Sequence, residues 1–185
     1  MKKLRMFNFI TLNGFYKDIA NDIGWHTHGG EERDFSNEML KQNNILLFGR
    51  VTYQMMAAFW PTDMAINSMP EVAHRMNAAE KIVFSNTLKK ADWNNTTIIE
   101  EDIIEKVKRI KQTAHKDLTI LGSGSIINQF TEAGLIDTYQ LLLDPIAIGK
   151  GTPLFHDIKQ QFNLNLVDTR VFKSGSVLLT YESTN

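Results

Sequence analysis

Ile45-Leu46-Leu47-Phe48-Gly49-Arg50-Val51-Thr52-Tyr53 passes from four apolar residues directly into a glycine, a cation and a hydroxyl. Four consecutive apolar residues leave no polar face for solvent. The run therefore reads as a strand covered on both sides, ending at Phe48, with a helical stretch starting at about Thr52. The first N–H groups of a helix lack partners and attract anions. Gly49 lets a ligand approach the main chain, Arg50 offers a planar fork for a phosphate, and Thr52 offers a hydroxyl. An ordinary strand-to-helix turn with a solvated arginine fits the same residues.

A second junction has the same character. Leu118-Thr119-Ile120-Leu121 is another buried-strand run, followed by Gly122-Ser123-Gly124-Ser125-Ile126-Ile127. Two glycines and two hydroxyls at a helix start have the composition of a pyrophosphate cradle. Ile127 takes the place of the third glycine of G-x-G-x-x-G, so a Rossmann site is not indicated. A glycine-rich turn with a serine cap is the other reading. Two such junctions in one small sheet weigh more than either alone, because open α/β sheets bind ligands at the carboxyl ends of their strands.

The remaining segments fit the same sheet. Leu4 to Leu12 is apolar on both faces, as a central strand must be. Ile82-Val83-Phe84 and Thr97-Ile98-Ile99 are short buried runs. Helical spacing is carried by Phe35, Met39 and Leu40, and by Ile103, Ile104, Val107 and Ile110. It also appears in Val72, Ala73 and Met76, with Ser68 as cap and Pro70 in the first turn. Ser125 to Ala133 reads as a helix stopped by Gly134. After Leu135 come a strand at Tyr139 to Leu143, a Pro/Gly-punctuated loop from Asp144 to Pro153, and a hairpin of Asn163–Phe172 and Ser176–Tyr181 about Ser174-Gly175. The expected architecture is one α/β domain over 1–185, with a mostly parallel sheet and an antiparallel finish.

Composition narrows the chemistry. The chain has 185 residues, 20 Lys+Arg against 21 Asp+Glu, and 43% hydrophobic residues. That balance gives no basic excess for nucleic acid. There is no cysteine, which excludes disulfides, thiolate nucleophiles, iron–sulfur clusters and cysteine-ligated zinc. Asn8, Thr11 and Asn13 interrupt the N-terminal apolar stretch, and no run approaches the roughly 18 residues of a membrane span. The cytoplasm is the expected compartment.

Taken in order, Thr11-Leu12-Asn13-Gly14-Phe15, Phe48-Gly49-Arg50-Val51-Thr52-Tyr53, Val83-Phe84-Ser85-Asn86-Thr87-Leu88, Gly122-Ser123-Gly124-Ser125 and Gly149-Lys150-Gly151-Thr152-Pro153-Leu154-Phe155 form a set. The set resembles the reductase domain of bacterial riboflavin-biosynthesis deaminase-reductases, a branch of the dihydrofolate reductase fold. The resemblance spans nearly the whole chain and implies a dihydrofolate reductase-like α/β/α layering. It also implies NADPH lying across the strand ends. Arg50 and Ser85 would then approach the adenosine 2′-phosphate, and Thr52 with Gly122, Ser123, Gly124 and Ser125 would hold the pyrophosphate. Asn13-Gly14 would border the nicotinamide, although Asn13 stands where many relatives carry aspartate. The zinc deaminase half needs P-C-x-x-C, so the chain would be a stand-alone reductase.

Dihydrofolate reductases place a carboxylate on the helix before the Gly-Arg motif. Here that helix offers Glu31, Glu32, Asp34 and Glu38. Counting back from Gly49 puts Arg33 nearest and Asp34 one residue away, so Asp34 is the one candidate proton donor, while the favoured reading of these four acids is a solvated face with helix-start charge. Trp25, His26 and His28 precede Gly29-Gly30 and read as a lid over substrate or, as His-x-His, a weak metal motif. Trp60 is a candidate wall of the substrate pocket, and Trp93 reads as packing. The expected activity is hydride transfer from NADPH to a small heterocycle, pterin- or pyrimidine-like; a non-catalytic nucleotide-binding module is the alternative. Apolar surface on Tyr139–Leu143 and Pro153-Leu154-Phe155 suggests a homodimer.

Overall fold

The computed structural model describes residues 1–184. The chain runs β1 (Leu4–Thr11), β2 (Phe15–Asp18), α1 (Gly30–Lys41), β3 (Ile45–Gly49), α2 (Arg50–Phe59), α3 (Asp63–Ser68), α4 (Pro70–Ala78), β4 (Lys81–Phe84), β5 (Thr96–Ile99), α5 (Ile103–Thr113), β6 (Leu118–Leu121), α6 (Gly124–Glu132), β7 (Thr138–Asp144), β8 (Gly151–Pro153), β9 (Leu164–Val171) and β10 (Val177–Ser183). Among the described residues the main sheet has eight strands in the order β5-β4-β3-β6-β1-β7-β10-β9. The first six run parallel, while β10 is antiparallel to β7 and β9 to β10.

Residue chemistry accounts for this order. β1 lies between β6 and β7 and needs cover on both faces. Leu4 and Met6 join a core with Val107 of α5 and Ile127 and Phe130 of α6. Phe7 points the other way, into a core with Phe35 and Met39 of α1 and Val72 and Met76 of α4. Helices thus cover both faces of the sheet in three layers. Leu47 and Phe48 of β3 are fully buried, one in each core, and burying each side chain contributes about 1.5–3 kcal/mol.

Three local readings need correction. Ser68 does not cap α4: it ends α3, its hydroxyl donates back to Met64 O at 2.7 Å, and Met69 holds the cap position without a side-chain bond. The capping residue in this region is Thr62, whose Oγ1 accepts from Ala65 N–H and starts α3. The loop from Asp144 to Pro153 contains β8, which pairs with β2 in a separate two-stranded sheet. Strands of three and four residues are too short to show an alternation. Finally, Tyr139–Leu143 and Leu154-Phe155 leave no apolar excess outside. Tyr139, Leu142 and Leu154 are buried, and the Tyr139 ring packs on Phe155 and Phe162.

Candidate functional site

The carboxyl ends of β4, β3, β6 and β1 open into one cleft of about 1450 Å³. Gly49, Arg50 and Thr52 line it from the β3–α2 junction, Gly122, Ser123, Gly124 and Ser125 from the β6–α6 junction, and Ser85 from the end of β4. The two junctions are built into each other. Gly49 N–H donates to Ser123 Oγ at 2.8 Å, and a Cβ on Gly49 would come to 3.2 Å from Ile126 Cγ1. Gly122 and Ser123 both have left-handed backbone, with φ of 60° and 64°. This turns the chain sharply enough to start α6 beside α2, and Gly122 lies against Thr52.

Neither helix start has a side-chain cap. The Gly124 N–H meets the Tyr16 hydroxyl, and the next N–H groups of α6, like those of α2, keep their affinity for an anion. Arg50 is exposed at the mouth, with Nη1 donating to Gln54 Oε1 at 2.8 Å. Ser85 Oγ accepts from Leu88 N–H at 2.9 Å and Thr87 N–H at 3.2 Å and lies 3.4 Å from Thr87 Oγ1, so it shapes its own turn. Two uncapped helix starts, hydroxyls and one arginine fit a phosphate-bearing ligand. Glu100, Glu101 and Asp102 line the same end and oppose it. Tyr16 of β2 roofs the α6 start: a Cβ on Gly124 would lie 2.6 Å from its ring. Burial, aided by Asp157, pushes that phenol above its ordinary pKa.

The other end of the cleft differs in chemistry. Phe9, Met55, Met56, Phe59, Trp60 and Met69 wall it, and the Trp60 Nε1–H donates to Met56 Sδ. His26, His28, Glu32 and Arg33 are among its polar groups. His26 and Glu32 are buried. The His26 Nδ1–H donates to both oxygens of Asp144, at 3.0 and 2.9 Å, and Glu32 Oε1 accepts from the Ser174 hydroxyl. Burial foremost, then His26, push His28 below the ordinary imidazole range, against a smaller pull from Asp144. Among the described residues no three His, Asp or Glu side chains group as a metal site.

Three candidate residues stand apart from this cleft. Asp34 is on the exposed side of α1; the acid of α1 that lines the cleft is Glu32. Asn13 clasps the loop after β7, its Nδ2–H donating to Ile148 O at 2.7 Å and its Oδ1 accepting from Thr11 Oγ1 at 2.8 Å. Trp25 packs edge-on near His26, 6.5 Å between ring centroids, and does not line the cleft. The signal for Glu32 was present in the sequence: it stands three residues before Phe35 and seven before Met39, on the same apolar stripe. Nothing in the sequence joins His26 to Asp144, 118 residues away.

Residues 2–178 match the sequence model of the family described as the RibD C-terminal domain. The chain is 31% identical over 172 residues to YyaP of Bacillus subtilis (strain 168), an uncharacterized protein, covering 93% of this chain and 90% of that one. Among solved structures it is similar to a pyrimidine reductase-like protein from Corynebacterium diphtheriae, with TM-score 0.68, 13% identity and coverage of 100% of this chain and 92% of that one. It is also similar to dihydrofolate reductase from Enterococcus faecalis complexed with NADP(H), with TM-score 0.66, 15% identity and coverage of 99% and 97%. The fold is thus dihydrofolate reductase-like.

Proposed function

The chain belongs to the RibD C-terminal domain family, and from that membership we propose that it is a single-domain cytoplasmic reductase that uses NADPH to reduce a small heterocycle. One observation carries the reading: two uncapped helix starts, interlocked through Gly49 and Ser123, hold an arginine at one end of a cleft whose other end is apolar. NADPH would supply the electron pair to the acceptor as hydride. The α2 and α6 N–H groups with Thr52 and Ser125 hold its pyrophosphate, and Arg50 with Ser85 meets its 2′-phosphate. Phe9, Phe59 and Trp60 exclude water and pack a flat ring. Fluorescence titration with NADPH, followed by NADPH oxidation against pterins, pyrimidines and quinones, tests this. A wild type that binds neither NADPH nor NADH would sink it.

The acids of α1 divide by face. Asp34→Asn is expected to leave both turnover and cofactor affinity unchanged, because Asp34 faces solvent. Glu32→Gln is expected to lower turnover by about tenfold or more, because Glu32 lines the acceptor end and fixes Ser174. Steady-state kinetics of the two variants side by side check this; a selective loss in Asp34→Asn would reverse the assignment.

We also propose that the chain is a homodimer. Leu166, Val167 and Val171 are exposed on β9, the free edge of the main sheet, and an exposed apolar edge invites a second strand. Light scattering at micromolar concentration is expected to give twice the 21.1 kDa chain mass; a monomer would end the idea.

A further inference from the structure

We propose that His26, held by Asp144, is the catalytic acid at the acceptor end of the cleft, an inference that rests on the reductase reading above. The two groups are 5% and 3% exposed. The carboxylate receives Nδ1–H through both oxygens and also the Ser176 hydroxyl at 3.2 Å. The ring stacks on Phe9, 3.7 Å between centroids and 23° between planes. Taking a carboxylate and an imidazole out of water costs stability that their mutual hydrogen bonds only offset, so packing alone does not account for the pair. Fixing the proton on Nδ1 leaves Nε2 as the working atom. Nε2 has no hydrogen-bond partner among the described residues, and the ring lines the cleft.

A second observation concerns the cleft as a whole, on the other face of β1, which Met6 and Ile10 share while Phe7 and Phe9 face the opposite way. Asn8, on β1, is 5% exposed and lines the same cleft. Its buried Nδ2 has no partner among the described residues, and such an orphan is costly until something accepts from it. Position agrees as well. In the order β4-β3-β6-β1-β7, Ser85 and Arg50 follow the first two strands and Asp144 ends the last. At about 4.8 Å per strand, roughly 15–19 Å separate the phosphate end from the dyad, the reach of an extended dinucleotide with a substrate beyond it.

The titratable and charged groups around His26 are Asp144 from β7, His28 from its own loop, and Glu32 and Arg33 from α1. Glu32 is already engaged by Ser174. With NADPH bound, the cofactor would supply a hydride to the carbon of an acceptor C=N or C=O and be oxidised to NADP⁺. His26 would give the Nε2 proton to the acceptor heteroatom, keep the N–H electron pair on Nε2, and take a new proton from solvent. Asp144 is the positioning residue that holds the tautomer.

Long-range ¹H–¹⁵N NMR of the wild-type chain without cofactor should show the His26 ring protonated on Nδ1. A ring protonated on Nε2 alone overturns the assignment. NADPH oxidation with the faster of 7,8-dihydropterin and menadione should fall as pH rises. His26→Gln should lose that limb and about 10²-fold in kcat, with NADPH affinity within about twofold of wild type. An unchanged profile in the variant overturns the proposal. If His26→Gln does not fold, the NMR result and a solvent deuterium effect on wild-type kcat decide; kcat unchanged in D2O overturns it. NADPH binding without oxidation by either acceptor removes the acid role and leaves the cofactor reading intact, whereas no NADPH binding removes that reading itself.

Discussion

Arg50→Ala is expected to weaken NADPH by about ten- to a hundredfold while leaving NADH nearly unchanged. The two cofactors differ only in a 2′-phosphate, so the preference must come from groups that meet its charge. Arg50 is the first residue of α2, exposed at the mouth of the cleft and tethered to Gln54. A guanidinium held this way can grip phosphate oxygens in pairs. Its neighbours sharpen the expectation. Glu100, Glu101 and Asp102 line the same end, so without Arg50 the dianion would face three acids with only the Ser85 hydroxyl to offset them. Neutral NADH ribose has no such quarrel. Added salt should erode the wild-type preference, because a charge pair at the surface is screened over about 8–10 Å. Calorimetric titration of both cofactors into both proteins measures the effect. Equal losses for NADPH and NADH would mean that Arg50 supports the β3–α2 turn and does not read the phosphate.

The strand ends that build this site were legible because each combines two independent signals, an unbroken apolar run and a glycine-and-hydroxyl junction. Those signals are local, and the sheet order that brings β3 and β6 side by side makes them one cleft. The acceptor end was not legible in the same way. Counting back from Gly49 lands on Arg33 with Asp34 beside it and reads the acids of this helix as a solvated face, but α1 begins at Gly30 and turns Glu32 inward. A count along the chain cannot fix helix rotation, whereas the spacing of Glu32 to Phe35 and Met39 can. His26 was visible only as part of His-x-His, since its partner enters from β7. Asn13 illustrates the converse: its place after β1 was read correctly, but both ends of its amide are spent on Thr11 and Ile148. Resemblance of sequence located the loop without revealing that use.

Lys81→Met is expected to cost about 3 kcal/mol of folding stability, a fall of roughly 6–12 °C in Tm for a domain of this size. In sequence Lys81 is simply the residue before Ile82-Val83-Phe84, yet it is 1% exposed. Its ammonium donates to Ala79 O at 2.6 Å, Asn94 O at 3.0 Å and Asn77 O at 3.2 Å, and it lies 4.4 Å from the centroid of the Trp93 ring. One side chain therefore ties the end of α4 to the loop before β5. Methionine matches the stem but leaves three carbonyls unpaired, at about 1 kcal/mol each. A pH series separates this clasp from a packing defect. Burial lowers the Lys81 pKa from 10.5 to about 8, so between those values the unfolded chain binds more protons than the folded one. Folding then gains stability as pH rises through that window. The methionine variant lacks the group and the gain, so the gap between the two proteins should widen from pH 8 towards pH 10.5. Urea unfolding at several pH values reads it directly. A gap that stays constant would place the ammonium in water and make Lys81 a spacer, and a variant as stable as wild type would remove the clasp altogether.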